Sequence, residues 1–197
     1  WLNILFEKKS SIENSKTADV FFISHLFNLD QIKSKNDLYF SNLITDLSLS
    51  SISSRRIFIN HSNLKVSRTD DDFIIGRSST LNEILIRIMQ LKEFIKLLIR
   101  LFSINKSHVE RRISVYASIE ALSHSTLNNL KIYFFIKKLL LRHSPKLVIT
   151  TFEGYAYERI IFNLVNSKPK IISAGYQHAA IFKDQYSITR DLKEIYN

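Results

Sequence analysis

The sequence predicts an α/β protein in which a parallel sheet is flanked by helices, and two observations predict it. Short apolar runs alternate with segments of helical spacing, which is the pattern of strand, helix, strand units. The stretch 146–178 has an apolar run at Leu147–Thr151, a helical segment at Tyr155–Asn166 and a second apolar run at Ile171–Ala174. Because parallel strands joined by a helix run the same way, the loops that follow them should meet at one edge of the sheet.

The composition is that of a folded chain with an excess of positive charge. Of its 197 residues, 45% are hydrophobic and 23% charged, so a packed core is expected. The chain contains no cysteine, which excludes disulfides and thiolate metal sites. The formal net charge of +10 favours an anionic partner. No apolar run reaches the ~20 residues of a membrane span, and no secretory signal is visible. The absence of cysteine is compatible with the cytoplasm, which is the expected location.

The first part of the chain carries its own strand, helix, strand signature. Val20–Ser24 is predicted to be a buried strand that ends before His25, and Arg56–Asn60 a strand that ends before His61. Apolar residues at helical spacing predict a helix within Asp37–Leu49. Both histidines would then follow strand ends and line a cleft at the same sheet edge.

The middle of the chain is predicted to be rich in helices. A short strand is expected at Phe73–Ile75, capping boxes beginning at Thr80 and Ser107 predict two helices, and a third is expected over Ser125–Arg142. The first helix carries a strict apolar seam spaced by three and four residues, formed by Leu81, Ile84, Ile88, Leu91, Ile95, Leu98 and Phe102.

Glu153 and Gly154 follow the predicted strand Leu147–Thr151 and are the first candidates for chemistry. Gly154 and Gly175 are two of only three glycines, so each is expected where the backbone must turn. Glu153 has two interpretations. It is either a cleft carboxylate, acting as a general base or as an anchor for a substrate hydroxyl, or a carboxylate that satisfies free N–H groups at a helix start.

The remaining candidates each have a structural alternative. Glu158 and Arg159 are predicted to lie on a solvated helix face, the alternative being support of the preceding loop or contact with a phosphate. His178 is either structural, a base, or a hydrogen-bond donor to a diphosphate. Tyr176 and Gln177 are expected beside it, with simple packing as the alternative for Tyr176. No metal-binding motif, P-loop or glycine-rich dinucleotide fingerprint is present.

The motif E-G-x-x-x-E-R at Glu153–Arg159, followed by G-Y-Q-H at Gly175–His178, resembles the core of bacterial surface-polysaccharide glycosyltransferases with the GT-B fold. These include capsule and O-antigen biosynthesis proteins. The resemblance implies a Rossmann-like N-terminal, acceptor-side domain over residues 1–190. It further implies the start of an interdomain segment at 191–197, with the C-terminal donor domain missing from this chain.

The same resemblance implies a function and a site. The expected reaction moves a sugar from a nucleotide-sugar donor to a surface-polysaccharide or lipid-linked glycan acceptor. The nucleotide sugar is the co-substrate and no other cofactor is expected. Glu153 and His178 are then the catalytic candidates. The substrate-binding candidates are Gly154, Glu158, Arg159, Gly175, Tyr176, Gln177, His25 and His61.

Other partners and functions are weighed beside this one. The basic helical region Lys131–Arg142 is expected either to contact anionic lipid at the inner face of the cell membrane or to be a solvated helix face, the second being favoured. A basic nucleic-acid-binding module ranks lower because the positive charge is scattered and most phenylalanines lie in apolar runs, so no nucleic acid is expected. A truncated, non-catalytic interaction domain is the third alternative.

Overall fold

The structure is a computed structural model, and it describes residues 17–34, 37–60, 72–76, 80–102 and 107–177. Within these ranges the chain forms two compact units. One unit contains the described residues up to 76 together with 135–177, and it holds the sheet. The other contains the described residues of 80–134, and it is helical. Most of the helix-rich middle segment predicted from the sequence lies in this second unit, whereas the strand at Phe73–Ile75 and the end of the third predicted helix belong to the first.

The sheet has five strands, which are β1 (Val20–Leu26), β2 (Ser54–Asn60), β3 (Asp72–Ile75), β4 (Leu147–Thr151) and β5 (Ile172–Tyr176). Their order is β3-β2-β1-β4-β5, and every neighbouring pair is parallel. The predicted α/β class with a Rossmann-like parallel sheet is thus confirmed. The chain extends from β1 in one direction and then returns to add β4 on the other side of β1. The junction of β1 and β4 is therefore a topological switch point.

The central strand explains why the sheet is stable. All seven residues of β1 are buried, as expected for a parallel strand covered on both faces. On one face Phe22 packs with Phe40 and with helix α2 (Leu43–Leu49). On the opposite face Phe21 meets Phe73 edge to face, with ring centroids 6.2 Å apart.

The other helices are α1 (Asp30–Lys33), α3 (Thr80–Leu101), α4 (His108–Ala121), α5 (His124–His143) and α6 (Ala156–Asn166). The capping box predicted before α4 is confirmed. The Ser107 hydroxyl accepts from the Glu110 N–H, and the Glu110 carboxylate accepts from the Ser107 N–H. The side-chain geometry at Thr80 lies outside the described residues.

Several element boundaries differ from the predicted ones. β1 continues through His25, because its hydrogen-bonded register with β2 extends to Leu26. β5 includes Gly175 and Tyr176, which were predicted to be loop, because both are paired with the end of β4. The predicted helix within Asp37–Leu49 begins only at Leu43, and the short helix α1 was missed. Strand pairing is a long-range contact, so local spacing could not show these extensions.

The helical unit is built from α3, α4 and the first part of α5. Ile86 of α3 is buried against Leu127 and Phe134 of α5. The Gln90 amide donates to the carbonyl groups of Ala121 and Ser123, at 3.1 Å each. These contacts identify the side of α3 that carries Ile86 and Gln90 as its packed side.

Candidate functional site

The carboxyl ends of β1 and β4 meet at the switch point, which is where open α/β sheets bind their ligands. We call this edge the β1/β4 rim and define it by residues His25–Phe27 and Thr151–Tyr155. His25 is paired with Ile59 of β2, and the end of β4 lies on the other side of β1. The structure thus brings His25 and the Glu153-Gly154 loop to a common edge, as predicted.

Glu158 is the organising residue of the rim, and it is fully buried. Its carboxylate accepts the backbone N–H of Glu153 (3.0 and 3.1 Å), of Gly154 (2.8 Å) and of Tyr155 (2.9 Å). The Thr151 hydroxyl donates a further bond of 3.2 Å. Burial raises the pKa of Glu158, and the backbone N–H bonds oppose that rise.

Two consequences follow for the predicted helix residues. The prediction that Glu158 lies on a solvated face is wrong, because the carboxylate is buried and accepts backbone N–H groups of the loop that precedes α6. The hydrogen bonds of Glu158 instead support the preceding loop, which was the alternative, and they do so through backbone N–H groups. Direct contact of Glu158 with substrate stays a prediction. Arg159 is exposed, as the solvated-face interpretation expects, and its contact with a phosphate stays a prediction.

A chain of buried hydrogen bonds links Glu158 to β1. The Tyr157 hydroxyl lies 2.8 Å from Thr151 Oγ1 and 2.6 Å from Nε2 of His25. Tyr157, Thr151 and His25 are all buried. Burial strongly raises the pKa of Tyr157, so this hydroxyl stays protonated at neutral pH. The tautomer of His25 determines which way the Tyr157 proton points.

Aromatic rings surround His25 on several sides. Its ring contacts those of Phe27, Tyr39, Tyr155 and Tyr157, with centroid separations between 5.2 and 5.8 Å. Phe27 and Tyr155 are 55% and 50% exposed, so both offer apolar surface at the rim. The inner rings hold His25 in place, and the outer two are available to a ligand.

Several carboxylates lie near the rim. Burial raises the pKa of Tyr39 to about 12, and the charge on Glu153 is the next cause of that rise. Asp37 also contributes, and it is buried while accepting from the Ser24 hydroxyl (2.8 Å) and from the Tyr39 N–H (2.8 Å). Glu153 itself is half-buried. Its charge contributes to the raised pKa of Tyr39, whose ring contacts that of His25.

The end of β5 lies beside the loop that follows β4. The Phe152 N–H donates to the carbonyl of Tyr176 at 2.9 Å, which fixes the two segments side by side. A Cβ at Gly175 would lie 3.0 Å from Cβ of Phe152, so a side chain there would press on the loop. Gly154 has φ of 92°, which is the turn predicted for it.

Some of the remaining predicted site residues are described by the structure and others are not. Tyr176 is 37% exposed and its ring contacts Phe40, and Gln177 is half-buried. His178 and His61 lie outside the described residues, so their predicted roles stay predictions.

Sequence reasoning missed four residues at this edge. Thr151, Tyr157, Tyr39 and Asp37 complete the hydrogen bonds and the ring contacts around His25. One signal was available for Tyr157, since it lies between the two acidic positions of the E-G-x-x-x-E-R motif. Tyr39 and Asp37 carried no such signal, because only the folded chain brings Tyr39 to His25 and Asp37 to Ser24.

The described residues contain no group of three or more histidine, aspartate or glutamate side chains placed to hold a metal ion. Among the described helices, none has the length and apolar content needed to cross a membrane. Lys131, in the predicted basic region, forms an ion pair with Glu83 at 3.5 Å.

Comparison of the chain with protein-family models, with curated proteins and with solved structures found no match.

Proposed function

We propose that this chain is the acceptor-side half of a glycosyltransferase. The reaction transfers a sugar from a nucleotide-sugar donor to a surface-polysaccharide or lipid-linked glycan acceptor. The proposal rests on one observation above the others, which is that Glu153 lies at the switch point of an all-parallel sheet with strand order β3-β2-β1-β4-β5. In such a site a carboxylate can take the proton of an acceptor hydroxyl.

The backbone N–H groups at the start of α6 are already hydrogen-bonded, and this supports an acceptor, rather than a diphosphate, as the ligand at this rim. Helix N-termini bind phosphate through free backbone N–H groups. Here the Glu158 carboxylate already accepts from the N–H groups of Glu153, Gly154 and Tyr155. The rim therefore offers a neutral acceptor a better environment than a diphosphate, and the diphosphate of the donor would be held elsewhere.

The exposed rings at the rim support a sugar as the ligand. Phe27 and Tyr155 present apolar surface beside His25, and a pyranose has one apolar face that packs on such rings. The charges that act on neighbouring Tyr39 come from Glu153, Asp37 and Glu158, and all are negative. A nucleic-acid site would need the opposite sign, so the rim gives that alternative no support.

The test is a turnover screen of the full-length protein against a panel of nucleotide sugars, with glycan acceptors. If Glu153 is the base, Glu153→Gln lowers kcat by about 10²–10⁴-fold. If it anchors an acceptor hydroxyl, the same variant raises KM for the acceptor and leaves kcat near the wild-type value. His178→Ala tests the second catalytic candidate.

Glu120→Gln, the same change on the exposed side of α4, is the matched control and should keep wild-type turnover. The proposal fails if the wild-type protein transfers no sugar from any donor. The site assignment fails if transfer is observed and Glu153→Gln and His178→Ala both retain full activity.

A further inference from the structure

Four buried side chains at the β1/β4 rim form one continuous chain of hydrogen bonds. Its members, in order, are His25, Tyr157, Thr151 and Glu158. Nε2 of His25 lies 2.6 Å from the Tyr157 hydroxyl, which lies 2.8 Å from Oγ1 of Thr151. The same Oγ1 lies 3.2 Å from Oε1 of Glu158. The chain thus connects β1 to the first turn of α6.

The number of protons in this chain determines its direction. Three contacts join the four groups, and each hydrogen bond needs one proton between its two heavy atoms. Thr151 carries one hydroxyl proton, and Tyr157 carries another because burial raises its pKa. Two hydroxyl protons do not fill three contacts. The third proton therefore comes from one end of the chain, either from Nε2 of His25 or from the carboxyl group of Glu158.

The two possible sources of the third proton give opposite directions. With a proton on Nε2, His25 donates to Tyr157, Tyr157 donates to Thr151, and Thr151 donates to an ionised Glu158. With a proton on Glu158, every bond runs the other way and Nε2 of His25 is an acceptor. The charge of Glu158 and the tautomer of His25 are therefore coupled, although the two residues do not touch.

The surroundings of Glu158 favour its ionised form. The carboxylate accepts the backbone N–H groups of Glu153, Gly154 and Tyr155 at 2.8 to 3.1 Å. Burial alone acts the other way and raises the pKa of Glu158, but N–H donors stabilise the charged form. A neutral carboxyl group would weaken all of these bonds at once, because bonds to a charged acceptor are the stronger ones. The chain therefore runs from His25 to Glu158.

The bonds of Glu158 connect this direction to the candidate base. The three N–H groups that the carboxylate accepts belong to the loop that carries Glu153. An ionised Glu158 holds this loop more firmly than a neutral one. The Nε2–H of His25 therefore stabilises the loop from a distance, through the hydroxyls of Tyr157 and Thr151.

We propose that His25 is a positioning residue of the rim, whose Nε2–H begins the hydrogen-bond chain that ends on an ionised Glu158 and so fixes the loop of Glu153. His25 acts through Tyr157 in this role and needs no contact with substrate. The effect on catalysis rests on the proposed function, whereas the position of the proton and the firmness of the loop do not.

The first experiment locates the proton by ¹⁵N NMR of the full chain, labelled at histidine and measured at neutral pH. Ring nitrogens with and without a proton have well-separated ¹⁵N shifts. The signals of His25 are those that disappear in the spectrum of His25→Gln. We expect Nε2 of His25 to be protonated in the wild-type protein. An unprotonated Nε2 would mean that the chain runs the other way, and it overturns the proposal.

Glu158→Gln should reverse the chain. The oxygen of the new amide can accept the N–H groups of Gly154 and Tyr155 in place of Oε2, and its NH₂ group then donates to Thr151 in place of Oε1. Nε2 of His25 should become an acceptor, with the ring proton on Nδ1. A proton that stays on Nε2 overturns the proposal. If this variant does not fold, the wild-type spectrum decides alone.

The positioning role is tested by a pair of substitutions at His25. His25→Phe keeps a ring among the surrounding aromatic side chains but removes the Nε2–H. With a nucleotide sugar that the wild-type protein uses, its kcat should fall about three- to tenfold, the value of one hydrogen bond. His25→Gln, whose amide N–H can replace the Nε2–H, should keep kcat within about twofold of wild type. His124→Phe, at an exposed histidine of α5, is the matched control and should keep wild-type kcat.

The outcomes separate this inference from the proposed function. Wild-type kcat in His25→Phe overturns the positioning role, and so do equal losses in His25→Phe and His25→Gln. If the wild-type protein transfers no sugar, the proposed function fails and hydrogen exchange tests the role instead. The backbone N–H groups of Gly154 and Tyr155 should then exchange faster in His25→Phe than in wild type, and unchanged exchange overturns the role.

Discussion

At the residue scale, the shape of the β1/β4 rim depends on a buried carboxylate. Glu158 accepts three backbone N–H groups from the loop that carries Glu153. A buried charge is tolerated where hydrogen bonds compensate for lost hydration, and here they come from the loop itself. The position of Glu153 at the rim is thus a consequence of Glu158, one turn along the chain.

Tyr157→Phe tests the buried hydrogen-bond chain. The substitution removes the hydroxyl that lies within bonding distance of His25 Nε2 and Thr151 Oγ1. Loss of bonds to buried polar groups costs about 1–3 kcal/mol, so the free energy of unfolding measured with urea should fall by that amount. Tyr155→Phe, at a half-exposed ring of the same rim, should change it by less than about 0.5 kcal/mol. Equal effects of the two substitutions would contradict the assigned role.

At the element scale, a buried ion pair joins β2, β3 and α1. The Arg56 guanidinium binds both carboxylate oxygens of Asp72, at 2.8 and 2.7 Å. It also donates to the carbonyl groups of Gln31 (3.1 Å) and Ser34 (2.7 Å), at the end of α1. Arg56 and Asp72 are each 8% exposed, so little water reaches them. The guanidinium therefore supplies the hydrogen bonds that water would otherwise make to the groups it contacts. It holds a four-residue helix that would be unstable alone.

Arg56→Met should therefore be strongly destabilising. It leaves the Asp72 carboxylate buried without its charged partner, and breaking a buried pair in this way costs about 3–5 kcal/mol. Lys33→Met removes the cation of an exposed pair in α1 and should cost less than about 1 kcal/mol. Urea unfolding measures both. A loss below about 1 kcal/mol for Arg56→Met would show that the pair does not hold these elements together.

At the scale of the whole molecule, Asp19 connects three strands at the amino-terminal edge of the sheet. Its carboxylate accepts from the Ser53 hydroxyl ahead of β2 and pairs with Lys146 ahead of β4 at 2.8 Å. The Lys146 and Ser53 hydrogen bonds lower the pKa of Asp19 to about 2, from an ordinary value of 3.8. The same pairing raises the pKa of Lys146.

This shift predicts a dependence of stability on acid. A carboxyl group whose pKa falls on folding stabilises the native state above its ordinary pKa and loses that contribution as the pH drops toward the folded value. The difference in unfolding free energy between wild type and Asp19→Asn should thus be present at about pH 5 and nearly vanish by about pH 2. Asp30→Asn, at an exposed pair, is the control. A difference that is constant over this range would refute the linkage.

Particular elements show how much the sequence could predict. The bounds of β4 agree with the predicted Leu147–Thr151, α6 begins one residue later than predicted, and the cap at Ser107 is present. Each depends on a local signal, such as spacing or a capping residue. The burial of Glu158 could not be predicted, because helical spacing placed it away from the apolar stripe. The Glu158 carboxylate is bound by the loop that carries Glu153, and this loop precedes α6 and so lies outside its helical spacing.

By itself, then, the sequence determined the α/β class, the parallel sheet and the apolar seam of α3. These features follow from the spacing of apolar residues along the chain, which is a local property of the sequence. Only the tertiary structure decided that β4 pairs with β1, that Tyr157 reaches His25, and that most of the apolar seam of α3 faces solvent. The reason is physical: which surface a side chain meets depends on contacts between segments far apart in the chain, and no local period encodes them.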